Sequence, residues 1–289
     1  MNIIKKLLKR LILLACSKEI IRTHLLNELS QHHADELIAE VSKNHANAFM
    51  HSYADVLLPL LAETLHQRNI TNQEAGYLAY AANAVLHHGQ EGEDIILERM
   101  LSEQENGFFV DVGAHHPTRF SNTYALYRRG WRGINIDATP GSMAVFAQWR
   151  PEDINIETAV SDTVEPMAFH MFKEPALNTF DASLAESYIQ AGWERLGTRD
   201  VTPRPLADIL DGHLPPGMNI DLMSIDVEGE EMGVLRSNNW EKYAPRYLVL
   251  EILGTQLIEI MHAPAIIFLR ERGYVPISKL AQTVILQRQ

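Results

Sequence analysis

Phe108-Phe109-Val110-Asp111-Val112-Gly113-Ala114-His115-His116-Pro117 is the stretch that decides the fold of this chain. It begins as an apolar strand that ends with an acid and a glycine, and a turn of small residues follows. A doubly wound α/β fold places such a turn beside a nucleotide-like ligand, because glycine lets the backbone come close to that ligand. We therefore expect a buried strand over 108–112 with a ligand site at its carboxyl end.

A second strand that ends in an acid follows about one helix later. Gly133-Ile134-Asn135-Ile136-Asp137 is mostly apolar up to Asp137, and a helix is predicted near 121–130, between the two strands. Strand, helix and acid-ended strand make a βαβ unit, in which the last carboxylate can accept hydrogen bonds from ribose hydroxyls. The alternative is that Asp137 only caps a helix that begins at Pro140.

Length, composition and charge limit the class of protein. The chain has 289 residues, of which 46% are hydrophobic and 21% are charged, as in a globular protein with one large α/β domain and a smaller part. The net charge of -12 argues against nucleic acid as the main partner. Cys16 is the one cysteine, so an internal disulfide is excluded. We expect a cytoplasmic protein.

Residues 1–22 differ from the rest in charge, with six basic side chains and one acid. Apolar residues recur on one helical face, so a basic amphipathic helix is predicted, able to lie on the inner face of an anionic membrane. Packing of this helix on its own domain or on a partner subunit is an alternative. A cleaved signal is another, but the apolar run 11–16 is shorter than a usual signal core.

Beyond this helix the sequence divides into two regions with different patterns. Residues 23–104 are predicted to be helical, because apolar residues recur at helical spacing and glycine and proline are rare. From residue 105, strands and helices alternate, which favours a parallel sheet with crossover helices. The last two strands, joined by a short link, suggest an antiparallel hairpin. Residues 172–206 interrupt the pattern and are predicted to be a substrate-facing insertion.

The predicted elements after residue 105 are numerous. The candidate strands are Phe108–Val112, Gly133–Asp137, Ile154–Val160, Met167–Met171, Leu222–Val227, Tyr247–Ile252, Tyr274–Ile277 and Thr283–Gln287. The candidate helices lie near 121–130, 140–149, 230–242 and 256–272. A mostly parallel sheet closed by an antiparallel hairpin is the Rossmann-like architecture of class I methyltransferases.

Several motifs in a fixed order carry a resemblance to a known family. Leu222-Met223-Ser224-Ile225-Asp226-Val227-Glu228-Gly229-Glu230-Glu231 is a strand that ends in a run of acids. The other matching stretches are 110–114, 136–140, 159–162 and 249–252, with 115–117, 119–123 and 175–180 marking a sub-group. Together they resemble the FkbM-type methyltransferase family over roughly residues 105–289.

The resemblance implies transfer of a methyl group from S-adenosylmethionine to an oxygen. Relatives act on sugars, polysaccharides, lipid-linked glycans or secondary metabolites. We therefore expect an S-adenosylmethionine-dependent O-methyltransferase whose acceptor is a sugar hydroxyl of a cell-surface polysaccharide or a lipid-linked glycan. The sequence also allows two alternatives. One is a nicotinamide-dependent oxidoreductase, disfavoured because Gly113 begins no G-x-G-x-x-G run. The other is a non-catalytic membrane-associated scaffold with this fold.

On this interpretation the cofactor lies across the carboxyl ends of the strands. Asp111 would hold its cationic methionine end, directly or through water, and Asp137 its ribose diol. The positions around Ala159 and Val160 would flank the adenine, and Asp226 would lie near the methyl group. The full predicted cofactor set is Asp111, Gly113, Ala114, Asp137, Ala138, Ser142, Ala159, Val160 and Asp226.

Oxygen methylation needs a group that takes the proton of the attacking hydroxyl. Glu228 is the first candidate for this base, His115 and His116 are the second, and Asp226 is expected in the same active site. Asp226, Glu228 and Glu251 could instead hold Mg²⁺ or Ca²⁺, although acids that face solvent or cap a helix are the commoner case, and we predict no metal. Four aromatic side chains could stack on a sugar face, although core packing is the commoner use of such residues: Trp131, Tyr188, Trp193 and Trp240.

Overall fold

The structure of the protein, a computed structural model, describes residues 87–252 and 256–289. The amphipathic helix predicted for 1–22 lies outside the described residues, as does most of the helical region predicted for 23–104. From His88 onward the chain forms one compact unit. Its first helix, α1 (Glu93–Met100), packs against the core through Leu97.

The main sheet has seven strands. The strands of the described chain are β1 (Phe108–Val112), β2 (Arg132–Asp137), β3 (Ile154–Glu157), β4 (Met167–Phe172), β5 (Arg195–Val201), β6 (Leu222–Ile225), β7 (Tyr247–Glu251), β8 (Tyr274–Lys279) and β9 (Thr283–Arg288). The sheet order is β3-β2-β1-β6-β7-β9-β8. Neighbours from β3 to β7 are parallel, and β9 is antiparallel to both β7 and β8. The predicted mostly parallel sheet with a terminal antiparallel hairpin is confirmed.

The central strands are apolar on both faces because helices cover both sides of the sheet. All five residues of β1 are buried, as are all four of β6. Val110 and Ile134 pack on one side with helix residues such as Ile266, and Phe109 packs on the other side with Trp131. This double burial explains why the strands read as nearly continuous apolar runs in the sequence.

The remaining helices are α2 (Tyr124–Arg128), α3 (Ser142–Trp149), α4 (Ala182–Gln190), α5 (Leu206–His213), α6 (Glu231–Ser237), α7 (Leu257–Ile260) and α8 (Pro264–Arg270). The helix expected over 256–272 is two helices, since Pro264 stands at the first turn of α8, where its missing N–H costs nothing. Among the helices of the described ranges, none is both long and apolar enough to cross a membrane.

The insertion predicted for 172–206 is built from regular elements. It contains a short 3₁₀ turn (Pro175–Leu177), α4 and β5, and β5 pairs antiparallel with β4 in a separate two-stranded sheet. The sequence pattern did not indicate β5, because the strand is exposed or half-buried along its whole length and lacks an apolar alternation.

A buried ionic network joins β1, α2 and α3 behind the first strand end. The guanidinium of Arg150 donates to Asp153 Oδ2 at 2.8 Å, and both side chains are fully buried. It also donates to the hydroxyl of Thr123 at 3.0 Å, and that hydroxyl donates to Asp111 Oδ2 at 2.6 Å. The other oxygen of Asp153 accepts the Gly133 N–H on β2 at 2.9 Å. The network therefore fixes the two acid-ended strands relative to the helices beside them.

Candidate active site

One cavity lies at the carboxyl ends of β1, β2, β3 and β6, and it encloses about 730 Å³ of empty space, part of it open to solvent. Its lining residues come from the strand ends and from the segment around β4: Gln90, Val112, Gly113, His115, Phe120, Ile136, Asp137, Ala138, Thr139, Thr158, Ala159, Val160, Phe169, Pro175, Ala176, Asn178, Phe180, Asp226, Val227, Glu228 and Glu230. The crevice at the strand ends of an open parallel sheet is the usual ligand site of such folds.

The turn after β1 brings backbone close to the end of β6. The N–H groups of Gly113 and Ala114 both donate to the carbonyl of Ile136, at 2.9 and 3.1 Å. Gly113 has φ of 80°, and a Cβ there would lie 1.6 Å from the carbonyl oxygen of Asp226. Only glycine fits this position, so the predicted glycine turn is fixed by a close approach of two strand ends.

Asp137 organises the loop that follows β2. One of its carboxylate oxygens accepts the N–H of His115 at 2.9 Å, and the other accepts the N–H of Thr139 at 2.7 Å. It does not cap α3, whose N-cap residue is Gly141. A carboxylate has about four acceptor sites, so Asp137 keeps capacity for further donors on the cavity side. Two hydroxyls of a diol are donors of that kind.

Three carboxylates converge at the ends of β6 and β7. Asp226, Glu228 and Glu251 each offer an oxygen within 4.8 Å of the others. Burial, and then the charge on Glu228, raise the pKa of Asp226, while burial and then the charge on Asp226 raise the pKa of Glu251. The charge on each of these two carboxyls therefore opposes ionisation of the other.

The charge of this cluster has no cationic counterpart in the protein. Within residues 87–252 and 256–289, none of the three carboxylates forms an ion pair with a lysine or an arginine. A buried negative group without a partner is costly. The arrangement therefore suits a ligand that brings positive charge to the end of β6.

Glu228 is held at both its backbone and its side chain. Its φ of 52° places the residue in the left-handed region, and its carbonyl accepts the hydroxyl of Thr179 at 2.6 Å. Its Oε2 accepts the hydroxyl of Tyr188 at 2.7 Å. Burial raises the pKa of the Glu228 carboxyl, and the Tyr188 hydrogen bond lowers it. Oε1 has no hydrogen-bond partner among the described residues and is free to accept a proton from a ligand.

The two histidines after the glycine turn have different surroundings. His115 lines the cavity, and its buried Nε2 has no hydrogen-bond partner among the described residues. Burial is the first cause that lowers the pKa of His115, so its ring is neutral near pH 7. His116 does not line the cavity, since its Nδ1 accepts the N–H groups of Thr118 and Arg119 at 3.2 and 3.1 Å. Its role as the base stays a prediction.

Three members of the predicted cofactor set do not line the cavity. Asp111 points to α2, where Thr123 donates to it, and burial raises its pKa. Ala114 packs against Met143 and Phe146, and Ser142 is the first residue of α3. Their direct contact with a cofactor stays a prediction. Ala138, Ala159 and Val160 do line the cavity beside Asp137.

The sequence-based search missed the residues that close the cavity from the β4–β5 side. Phe169 and Phe180 face each other with ring centroids 4.6 Å apart, and both line the cavity. The amide of Asn178 donates to Thr139 Oγ1 at 3.0 Å. The run 175–180 lies within the predicted substrate-facing insertion 172–206, but its composition does not single out these side chains.

An ion pair fastens this wall to the turn after β1. The guanidinium of Arg119 donates to both oxygens of Glu174, each at 3.0 Å. Together with the bonds from Asn178 to Thr139 and from Thr179 to Glu228, it ties residues 174–179 to the loops that follow β1, β2 and β6. Residues 174–179 therefore form a strap beside the cavity, with three attachments.

The aromatic residues considered for sugar stacking are not gathered at the cavity. Trp131 is fully buried in the core, and Trp240 packs against Phe268 and Tyr274. Trp193 is 49% exposed and does not line the cavity. Tyr188 touches the site through Glu228, so the aromatic rings that face the cavity are phenylalanines instead.

Comparison with known proteins gives the family. The family model of the methyltransferase FkbM domain matches residues 111–276. No curated protein matches the chain. Among solved structures, a TehB-like S-adenosylmethionine-dependent methyltransferase from Corynebacterium glutamicum is similar over 80% of this chain and 100% of its own, at 12% identity and a TM-score of 0.35. A precorrin-6y C5,15-methyltransferase from Geobacter metallireducens is similar over 69% and 88%, at 11% identity and a TM-score of 0.36.

The cavity fits the cofactor of this family. S-adenosylmethionine carries a sulfonium, an ammonium, a ribose diol and an adenine. The carboxylates at the end of β6 have no cationic partner in the described chain, Asp137 has acceptor capacity for a diol, and Gly113 keeps the turn free of a side chain. The match over residues 111–276 places the chain in the FkbM methyltransferase family, as an S-adenosylmethionine-dependent methyltransferase.

Proposed function

We propose that the protein methylates a hydroxyl of a glycan, either a cell-surface polysaccharide or its lipid-linked precursor. The observation that carries the proposal is the carboxylate of Glu228, which lies at the cavity wall with Oε1 unpartnered among the described residues and with its pKa raised by burial. A base is needed for an oxygen acceptor, because a sugar hydroxyl is a poor nucleophile until its proton is removed.

In the proposed site one group of residues holds the cofactor, and a second group receives the proton of the acceptor. Asp137 accepts the ribose hydroxyls, Ala138, Ala159 and Val160 flank the adenine, and Asp226 faces the cationic centre. When bound, the cofactor supplies an electrophilic methyl group. Holding the acceptor in line with that methyl group lowers the activation free energy, because a bimolecular reaction becomes effectively unimolecular.

Glu228 takes the proton in this scheme. Its Oε1 accepts the hydrogen bond of the acceptor hydroxyl and then its proton, while Tyr188 holds Oε2. The raised pKa brings the carboxylate closer to the pKa at which a base works best near neutral pH. His115 is the second candidate, because it lines the same cavity and its ring has a nitrogen, Nε2, without a hydrogen-bond partner among the described residues.

The strap 174–179 keeps bulk water from the reacting centre. Its apolar members Pro175 and Ala176 line the cavity together with Phe169 and Phe180. Excluding water strengthens electrostatic interactions inside the site. We propose that the acceptor enters beside this strap, at the open part of the cavity.

Cellular placement belongs to the proposal as well. A cytoplasmic protein that touches the inner membrane face through residues 1–22 would meet a lipid-linked glycan where such precursors are assembled. The basic amphipathic pattern of those residues supports this placement. We propose no nucleic-acid partner, in keeping with the net charge of -12.

The test is methyl transfer to glycans that lack the modification. Surface polysaccharide and lipid-linked glycans from a strain without the gene are incubated with the full chain and S-adenosyl-[methyl-³H]methionine. We expect tritium in a glycan fraction and an O-methyl sugar after acid hydrolysis, identified by mass spectrometry. Label confined to proteins, nucleic acids or non-carbohydrate small molecules would contradict the glycan assignment. Absence of label from every fraction would favour the non-catalytic scaffold.

A further inference from the structure

The helix α4 contacts the proposed base through one side chain. Tyr188 donates its hydroxyl to Glu228 Oε2 at 2.7 Å, and its ring packs edge-on against Phe172 on β4, with centroids 5.7 Å apart at 87°. The ring contact fixes where the hydroxyl points. Tyr188 lies in the segment between β4 and β5, apart from the strand-end motifs that carry the family resemblance.

The same segment holds the backbone of Glu228. Thr179 donates its hydroxyl to the Glu228 carbonyl at 2.6 Å, and Asp181, the N-cap of α4, lies beside Gly229. A left-handed φ of 52° at Glu228 is unfavourable for a residue with a side chain, so it needs support from its surroundings. The segment 179–188 therefore binds both the backbone carbonyl and the side-chain carboxylate of Glu228.

We propose that Tyr188 is a positioning residue for Glu228: its hydroxyl occupies Oε2, so that Oε1 is the oxygen presented to the acceptor hydroxyl. The inference deepens the proposed function and rests on it, because it concerns the base of the same site. Tyr188 touches neither reacting atom in this scheme and acts through Glu228.

The charged surroundings make this hydrogen bond matter. Glu228 faces Asp226 at the end of β6, Glu231 on α6 and Glu251 at the end of β7, all of them acids, and faces Tyr188 from α4. His115 and Glu230 line the same cavity. Among these groups, Tyr188 is the one whose hydrogen bond to Glu228 favours the carboxylate form. Without this hydrogen bond the carboxylate form of Glu228 is less stable, and the neighbouring acids already disfavour that form.

The direction of the expected shift follows from this. Without the hydroxyl of Tyr188, the charged form of Glu228 loses a donor, so its pKa rises. The loss of a hydrogen bond to a charged group is large enough to move the pKa by about one to two units. A base works in its deprotonated form, so the acid limb of the pH–rate profile moves to higher pH by the same amount.

Tyr188→Phe tests the proposal, since it removes the hydroxyl and keeps the ring against Phe172. Tyr127→Phe is the matched control, because it removes another tyrosine–glutamate hydrogen bond, to Glu152 at 3.2 Å, away from the cavity. The pKa of the Glu228 carboxyl is read directly from the ¹³Cδ shift of glutamate-labelled protein, with Glu228→Gln used for assignment.

We expect Tyr188→Phe to raise the titration midpoint of Glu228 by about one unit or more and Tyr127→Phe to leave it in place. On the ³H-methyl transfer assay with glycan extract, the acid limb should move in the same direction, with the rate recovering at high pH. An unchanged or lowered midpoint in Tyr188→Phe would overturn the inference. The carboxyl titration needs no acceptor, so a raised midpoint in Tyr188→Phe, together with a wild-type protein that labels no glycan, would refute the proposed function alone.

Discussion

Replacing Glu228 by glutamine is expected to lower methyl transfer by about 10²–10⁴-fold, the usual contribution of a positioned general base. Glutamine keeps the size of the side chain and still accepts the hydrogen bond of Tyr188, but it takes no proton. The measurement is the rate of ³H-methyl transfer from S-adenosylmethionine to the labelled glycan fraction. S-adenosylhomocysteine should still bind to the variant, because the loss concerns the proton and not the cofactor pocket.

The pH dependence of the same reaction gives a second view of Glu228. Burial raises the pKa of its carboxyl, so Glu228 takes up a proton at a higher pH than an ordinary glutamate does. When the pH is lowered, the wild-type rate should therefore begin to fall at that higher pH. Glu228→Gln should lose this limb. Glu152→Gln, at an exposed ion pair with Arg132, is the matched control and should behave as the wild type. Full activity of the Glu228→Gln variant would show that Glu228 is not the base, and His115 would become the first candidate.

Arg150→Met is expected to destabilise the fold by about 3–5 kcal/mol, the cost of breaking a buried ion pair by removing one partner. The change leaves Asp153 buried and without its cation, and it takes a donor from Thr123. Chemical denaturation followed by circular dichroism measures the loss as a lower unfolding midpoint. Methyl transfer should also decrease, because the same network holds Asp111 and β2 in place behind the glycine turn.

A double variant separates charge from packing in this network. Arg150→Met combined with Asp153→Asn removes the uncompensated charge and keeps an acceptor for the Gly133 N–H. It should therefore be more stable than Arg150→Met alone, since an unpaired buried charge is the larger part of the loss. Lys173→Met, at a well-exposed ion pair with Glu194, should leave the unfolding midpoint unchanged. Equal midpoints for Arg150→Met and the wild type would contradict the structural role given to the network.

The strands of the main sheet were predictable from the sequence for a physical reason. Residues of β1 and β6 are buried on both faces, so their apolar runs stand out. Asp111, next to last in β1, and Asp226, directly after β6, mark the strand ends. The positions of Gly113, Asp137 and Glu228 at one cavity follow from the parallel order of the strands. A parallel sheet brings the carboxyl ends of its strands to one edge.

In the wall formed by β4, β5 and α4, the sequence predicted the strand β4 but neither β5 nor α4. β5 has no buried position, so it leaves no periodic pattern, and Tyr188 reaches Glu228 across 40 residues of sequence. The histidines show a further limit. His115 and His116 are identical in type and adjacent in sequence, but one lines the cavity and the other accepts two backbone N–H groups in a turn.

Isothermal titration of the full chain with S-adenosylhomocysteine tests the proposed cofactor pocket most directly. The site predicts binding by the wild type, and binding at least about tenfold weaker by Asp137→Ala, since a lost hydrogen bond to a charged group is worth more than 1.4 kcal/mol. Asp200→Ala, on exposed β5 and outside the cavity lining, should bind as the wild type. No detectable heat at millimolar ligand, or equal affinity for the wild type and Asp137→Ala, would contradict a cofactor held by the acid-ended strands.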